Sequence, residues 1–323
     1  WPCWQHTMRD ARRLQRAEGI PMAILAVNAG SSTLKFSLHP LRAGQVQPSI
    51  LTGNIQGLEP QGSPEICWRQ DGPQHQEPLA AGSGDPFERA LHHLRALLAR
   101  LNDRVVHGGA QYTRSVRVTP QVLHDLALLN SLAPLHQPHN LAGIEAFQQA
   151  FPMLPQIACF DTAFHVTVPE EERQFALPQA LTRQGVRRYG FHGLSYQYIM
   201  GVLQERTPRA QHKVLMAHLG NGASLCAATA GHSCATTMGF SALDGLMMGT
   251  RSGALDAGVL LYLLEQGWTH DRLQSLLYKQ SGLLGVSGVS ADMRKLRADP
   301  SPAAAWAVTL FTHRVVRESG ALI

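Results

Sequence analysis

The chain carries five cysteines and sixteen histidines but no CxxC pair, no HExxH and no other compact metal-ligand spacing. The usual structural-zinc and dithiol readings are therefore excluded. Cys159 and Cys226 sit in apolar, strand-like runs, as buried free thiols do, and a reducing cytoplasm fits this usage. No apolar run is long enough to span a membrane. Residues 1–21 are Arg-rich and lack the apolar stretch of about 7–15 residues that a secretory signal needs. Charged residues make up only 16% of the chain and no Lys/Arg block occurs. The net charge of +5 is thus modest and scattered, a weak sign of nucleic acid that small anionic ligands would explain as well. GxxxxGK[ST] is missing, so no Walker loop is present, and the absence of GxSxG argues against a serine hydrolase.

What is there is a globular composition, 44% hydrophobic over 323 residues, enough for two cores. Ile24–Leu38, ILAVNAGSSTLKFSL, and Val214–Thr229, VLMAHLGNGASLCAAT, share one design. Each is an apolar run, a Gly/Asn/Ser turn and a second run, which reads as strand–turn–strand. Gly30 and Gly220 occupy the same place in the two. Small-residue turns leave N–H groups bare, and such nests bind phosphate. At this point both readings stand: a duplicated fold holding a phosphate chain, or two unrelated hairpins.

Strands are expected at Ala23–Asn28, Thr33–Leu38, Ile50–Gly57, Glu65–Arg69, Arg104–Val106 and Gln156–Phe160. The polar, Gly/Pro-rich stretch Gln70–Asp85 reads as a loop. Phe87, Ala90, Leu91, Leu94, Leu97, Leu98 and Leu101 fall on one helical stripe. Helices are expected near Pro120–Asn130, Pro138–Ala150, Leu255–Gln266, Asp271–Gln280 and Pro302–Glu318. Strands and helices in this rhythm argue for an α/β class, with a domain boundary near residue 163.

Six polar clusters punctuate strand ends and loops, each weak alone: Asn28–Lys35, Asp103–Gly109, Leu132–His136, Phe160–His165, Arg187–Gly193 and Met248–Gly253. In this order NAGSSTLKF, RVVHGG, LAPLH, FDTAFH, RRYGFHG, HLGNGAS and MGTRSG resemble the signatures of the acetate kinase family. SGLLGVSGVSADMR, at Ser281–Arg294, extends the resemblance, which covers Met22 to Ile323. It implies the acetate and sugar kinase, chaperone and actin superfamily fold, with two duplicated α/β domains and an active site in the cleft between them. The domains expected are 22–163 and 164–323, after a non-homologous extension at 1–21.

The resemblance implies ATP-dependent phosphorylation of acetate to acetyl phosphate, or of propionate by a propionate kinase of the same family. Arg104 and Arg251 match the substrate-site arginines. His192 matches the histidine on the in-flight phosphoryl group, and His136 a second active-site histidine. Asp161 matches the acidic residue of the metal and substrate site, with Asn28 beside the metal, Mg²⁺ or Mn²⁺. Asn28, Ser31, Lys35, His218, Gly220, Asn221 and Gly222 lie on the phosphate-facing turns. Val106, Leu135, Phe191 and Ala242 match or border the acyl pocket, and Asp292, Met293 and Arg294 the nucleoside segment. A homodimer without nucleic-acid or membrane partners is also implied.

The chemistry agrees with this. A carboxylate is already ionised at neutral pH, so its phosphorylation needs no general base. The difficulty is bringing one anion to another, which positioned cations relieve. Arginine suits the task because its planar fork meets phosphate or carboxylate oxygens in pairs. The chain departs from the family at Ala242 (usually Pro), Asp244 (usually Glu), Leu194-Ser195-Tyr196 (usually Thr-Ser-His) and Ala254–Ala257. The family also continues past the position of Ile323 with a glycine-rich nucleotide loop, a metal-site glutamate and a final helix. The second domain is accordingly expected to be incomplete, and a non-catalytic remnant is the alternative reading.

Overall fold

The computed structural model describes residues 23–29, 33–42, 45–58, 64–70, 72–79, 89–91, 93–94, 115–127, 137–150 and 155–323. The chain divides into two compact units, Trp1–Phe160 and Asp161–Ile323.

In the first unit, β1 (Ala23–Ala29), β2 (Thr33–Arg42), β4 (Leu51–Gln56), β5 (Glu65–Arg69) and β6 (Gln74–Pro78) form an antiparallel meander. The short β3 (Gln45–Val46) pairs with β2. Alternation on β2 buries Leu34, Phe36 and Leu38 and leaves Lys35 exposed, the pattern of a strand with one face on a core. Gly53 lies opposite Phe36, and a Cβ there would overlap the Phe36 ring. Glycine at this point lets the aromatic side chain lie across the neighbouring strand. The core gathers Leu25, Leu34, Leu38, Leu51, Ile55 and Ile66. Ala90, Leu91 and Leu94 from the expected helical stripe close it, with Phe147.

One expectation fails here. Gln74–Pro78, expected within a loop, is a strand paired to β5. Its side chains, Pro78 apart, are polar, and nearly all are exposed, because an edge strand gains its pairing from the main chain and needs no apolar face. Local side-chain pairs hold it as well. His75 stacks on Trp68 with ring centroids 5.1 Å apart, and Gln76 Nε2 donates to Glu65 Oε1 at 2.6 Å. Helices α1 (Pro120–Ala127) and α2 (Gln137–Ala150) follow, and β7 (Val116–Arg117) pairs with β8 (Ile157–Ala158). The strand expected at 156–160 is thus only two residues long. The one expected at Arg104–Val106 lies outside the described residues.

The second unit is built on an antiparallel sheet in the order β11 (His232–Thr236), β10 (Ala223–Thr229), β9 (Lys213–Leu219). The hairpin expected at Val214–Thr229 is the β9–β10 pair. Residues 223–226 and Ala228 of central strand β10 are buried. Its two faces serve different clusters, following the period-two alternation of a strand. Ala223 and Leu225 pack with Met238, Leu246 and Met248, backed by Phe311 and Val315. Cys226 and Ala228 pack with Tyr196 and Met200 of α3 (Gly193–Arg206). Ser224 therefore faces the α3 side, the only buried hydroxyl of β10, whose other hydroxyl, on Thr229, is exposed.

Four further helices matter for the site or its support: α4 (Ala257–Glu265), α5 (His270–Lys279), α6 (Gly282–Ser287) and α7 (Met293–Ala298). The long α8 (Pro302–Ala321) begins with Ser301 as cap, its hydroxyl accepting from Ala304 N–H, and with Pro302 in the first turn. Among the described residues no helix is long and apolar enough to cross a membrane.

Candidate active site

The site in the second unit starts where α3 begins. Asp161 caps that helix: its main-chain carbonyl accepts from Gly193 N–H at 2.7 Å, and its carboxylate accepts from His192 N–H at 2.8 Å. A weaker bond comes from Leu194 N–H at 3.4 Å. These are the amides a helix leaves unpaired at its N-terminus, where negative charge is also favoured. A Cβ at Gly193 would overlap the Asp161 carbonyl, so the close approach depends on glycine. His192 has φ of +60°, a left-handed conformation that costs a non-glycine residue about 1–3 kcal/mol. The Asp161 bonds on either side hold it there.

This backbone aims the His192 ring into the unit. Its Nδ1 lies 2.7 Å from Ser224 Oγ, and Ser224 Oγ lies 2.5 Å from the Tyr196 hydroxyl. The ring stacks on His218, with centroids 4.1 Å apart and planes 21° from parallel. His218 is itself held through Nδ1, 3.0 Å from Ser195 Oγ.

The β9–β10 turn, Gly220-Asn221-Gly222, runs beside these rings. It is not a bare nest throughout, because Gly220 N–H donates to Gly222 C=O at 3.0 Å. None of its three residues has a positive φ. The glycines serve space rather than backbone freedom. A Cβ on Gly222 would sit 3.1 Å from His192 Nε2 and 3.6 Å from Arg251 Nη1. The free edge of the imidazole and the guanidinium thus open onto one small volume that a side chain would fill.

Arg251 is fixed from behind. Its Nη1 donates to Ala242 C=O at 2.9 Å and lies 3.6 Å from Met248 Sδ. Its loop is laced to the start of α6: Leu283 N–H bonds Met248 C=O at 2.8 Å, Leu284 N–H bonds Gly249 C=O at 2.9 Å, and Ser281 N–H bonds Thr250 C=O at 3.0 Å. The same loop touches the glycine turn, since Gly249 N–H donates to Asn221 C=O at 3.0 Å. A Cβ on Gly249 would overlap Asn221 Oδ1.

Burial, the stacked His218 and the Arg251 charge together push His192 down to about 4, against the opposing pull of Asp161. His192 is therefore neutral at pH 7. Burial also lowers Arg251 from its ordinary value, but a guanidinium remains charged. The volume over Gly222 is faced by one fixed cation and one neutral imidazole edge. It suits an anion with several oxygens.

Phe191 and Ala242 both pack on the cluster of Ala223, Leu225, Met238, Leu246 and Met248, so two of the expected acyl-pocket residues share one apolar wall. Asp292 caps α7, accepting from Arg294 N–H at 2.8 Å, and its carboxylate pairs with the Arg294 guanidinium at 2.7 Å. That hydrogen-bonded pair holds Asp292 down at about 2. Met293 packs inward with Leu283 and Leu296. A Cβ on Gly249 would lie 3.3 Å from Ala291 C=O, which brings this segment up to the Asn221 turn. In the first unit Asn28 and Lys35 face each other across the β1–β2 register, both exposed. Arg104, Val106, Leu135, His136 and Ser31 lie outside the described residues.

Sequence reasoning missed Ser224, Tyr196 and Ser195 as parts of the site. The signal for Ser224 was its hydroxyl within the apolar run Ala223–Ala228. For Tyr196 it was the departure from the usual pattern after the FHG motif. Arg188 was missed too. Its Nη1 bonds Met238 C=O at 3.1 Å and Asp244 Oδ2 at 3.3 Å, bracing the segment that leads to Ala242. His165 is structural: it is buried, bridging Ser233 Oγ and Phe191 C=O at 2.9 Å each.

Among the described residues no three His, Cys, Asp or Glu side chains gather into a metal cage. Asp161 keeps lone pairs beyond its two backbone bonds. One carboxylate completed by phosphate oxygens is how Mg²⁺ is commonly held, so the oxygen donors present fit that ion.

Solved structures share this architecture. A propionate kinase from Francisella tularensis superposes with a TM-score of 0.83 at 34% identity, over 93% of this chain and 79% of that one. An acetate kinase from Porphyromonas gingivalis gives 0.77 at 33% identity, over 93% and 79%. The fold is thus α/β, of the acetate and sugar kinase superfamily. Residues 23–323 match the Acetokinase family, and the acetate kinase of Rhodopseudomonas palustris is 48% identical over 93% of this chain and 78% of its own length. The chain belongs to the acetokinase family.

Proposed function

We propose that the protein transfers the γ-phosphoryl group of ATP directly to a short carboxylate, acetate by preference, giving ADP and an acyl phosphate. The observation that carries this is the meeting of His192 Nε2 and Arg251 Nη1 over Gly222. In the transfer a carboxylate oxygen forms a bond to γ-phosphorus. The bond from γ-phosphorus to the bridging oxygen breaks, and ADP leaves with the electron pair. No proton moves, so the transfer needs no general base. Arg251 offsets charge on the equatorial oxygens, the role for which a fixed guanidinium is suited. Arg104 and His136 are assigned to the same group from the first unit, in keeping with their motifs.

Asp161 would hold Mg²⁺ (or Mn²⁺), with Asn28 assigned to the same ion by its motif, and the ion would supply charge neutralisation of the phosphate oxygens. Asn28, Ser31, Lys35, His218, Gly220, Asn221 and Gly222 are assigned to the phosphate chain. Asp292, Met293 and Arg294 are assigned to the nucleoside. Val106, Leu135, Phe191 and Ala242 are assigned to the acyl group, in keeping with their motifs. Propionate is the second reading, favoured by the small Ala242 on the same apolar wall as Phe191. A cytoplasmic homodimer completes the proposal. Leu261 and Tyr262 on α4 are 63% and 58% exposed, apolar surface of the kind a partner subunit covers.

Running the reaction backwards tests this. The protein, given acetyl phosphate and ADP–Mg²⁺, is expected to make ATP, read by luciferase, with propionyl phosphate a slower donor. No ATP from either donor would contradict the proposal.

A further inference from the structure

Ser224 has one proton and two hydroxyl-range neighbours, and the way that proton points decides which edge of His192 is a donor. Tyr196 and Ser224 are both fully buried, so each polar hydrogen must find an acceptor in the protein. In one arrangement Tyr196 O–H donates to Ser224 Oγ and Ser224 O–H donates to His192 Nδ1. The imidazole proton then sits on Nε2. In the other, His192 Nδ1–H donates to Ser224 Oγ and Ser224 O–H donates to Tyr196 Oη. Ser224 Oγ is the hydrogen-bond partner of the Tyr196 hydroxyl among the described residues, so in the second arrangement, where Ser224 donates to Tyr196 Oη, the Tyr196 O–H would have no acceptor among them. A buried unpaired hydroxyl is disfavoured. The first arrangement pairs both buried hydroxyl protons, and the one proton it leaves unpaired, on His192 Nε2, faces the open volume over Gly222.

We infer that Tyr196 and Ser224 form a one-way hydrogen-bond relay that places the His192 proton on Nε2, making the imidazole edge over Gly222 a fixed donor. They are positioning residues. Their effect on the transferring group passes through His192, and that consequence rests on the function proposed above. The relay also decides what the ring edge presents to an incoming anion. A neutral ring with its proton on Nδ1 would turn a lone pair toward an incoming anion; with the proton on Nε2 it offers a hydrogen bond. The 2.5 Å and 2.7 Å links leave Ser224 little room to rotate away, and the stack on His218 fixes the ring plane.

The test is a ¹⁵N–¹H long-range correlation spectrum of ¹⁵N-histidine-labelled protein at pH 7, with the His192 signals assigned from a His192→Asn variant. Wild type is expected to show Nε2 as the protonated nitrogen and Nδ1 as the bare one. A proton on Nδ1 would overturn the inference, and this reading needs no variant that alters the relay. Ser224→Ala should lose the tautomer preference and lower kcat on the order of tenfold or more, with KM for ATP changed far less. Ser224→Thr, which keeps the hydroxyl, should restore both. Ser224→Ala with an unchanged His192 spectrum would also refute the relay. If the wild-type spectrum is as expected but no acyl phosphate forms, the relay stands and the proposed function fails.

Discussion

Replacing Gly222 by alanine separates activity from stability more sharply than any other single change in the site. The new methyl group would lie 3.1 Å from His192 Nε2 and 3.6 Å from Arg251 Nη1. An oxygen accepting from these nitrogens needs to sit about 2.7–3.2 Å away, so the methyl takes the place of the acceptor and cannot bond to either donor. Loss of one preorganised donor to a transition state costs about 10²–10³ in kcat, or roughly 2.7–4 kcal/mol. The backbone objects little, because Gly222 is not in the left-handed region. Gly→Ala at such a position stabilises by about 0.4–1 kcal/mol through the unfolded chain, set against one tight contact. The expected result is a variant that melts within a few degrees of wild type and forms acetohydroxamate from acetate, ATP and hydroxylamine at a rate lowered by about two orders of magnitude. A folded Gly222→Ala protein with kcat within about threefold of wild type would refute the assignment of this volume to the transferring group.

Three further outcomes follow from the same geometry. Arg251→Ala should lower kcat by roughly 10²-fold or more, and Arg251→Lys should not restore it, since a point charge cannot both brace Ala242 C=O and face the site; near-wild-type turnover in either, measured by ADP release, would contradict this. Ala242→Pro should raise the preference for acetate over propionate, by at most the worth of one methylene, about 1–3 kcal/mol in the ratio of kcat/KM values; an unmoved ratio removes Ala242 from the determinants. Burial lowers His165 from its ordinary value, so the unfolded chain binds the proton first as pH falls. Its stability contribution is present above about pH 6.5 and is lost at up to about 1.4 kcal/mol per unit below that. The melting temperature should therefore fall more steeply from pH 7 to 5 in wild type than in His165→Gln, and equal slopes in the two would show that His165 is not the group responsible.

The strands with one apolar face were legible from period and turn residues: β2, β4, β5 and the β9–β10 hairpin lie where alternation and the Gly/Asn turns put them. β6 was not, because an exposed edge strand bonds through main-chain groups that leave no trace in side-chain hydrophobicity. In the site, motif order singled out Asp161, His192 and Arg251 but could not say how they are held. The capping of α3 by Asp161 depends on a backbone reversal at His192, and nothing in the residue type announces a positive φ there. The glycines of the second turn were read as exposing amides, whereas they make room for an imidazole edge and a guanidinium. Ser224 and Tyr196 escaped notice because their role appears only when strand β10 and helix α3 are packed face to face.

The most direct test of the central claim is the stoichiometry of the forward reaction. The protein carrying this sequence is incubated with ATP–Mg²⁺ and acetate in hydroxylamine, and ADP and acetohydroxamate are measured together. Direct transfer to the carboxylate predicts one hydroxamate for each ADP, both dependent on acetate and both suppressed in Gly222→Ala and Arg251→Ala. ADP formed at the same rate without acetate, with no hydroxamate, would show that the phosphoryl group goes to water and that the account is wrong.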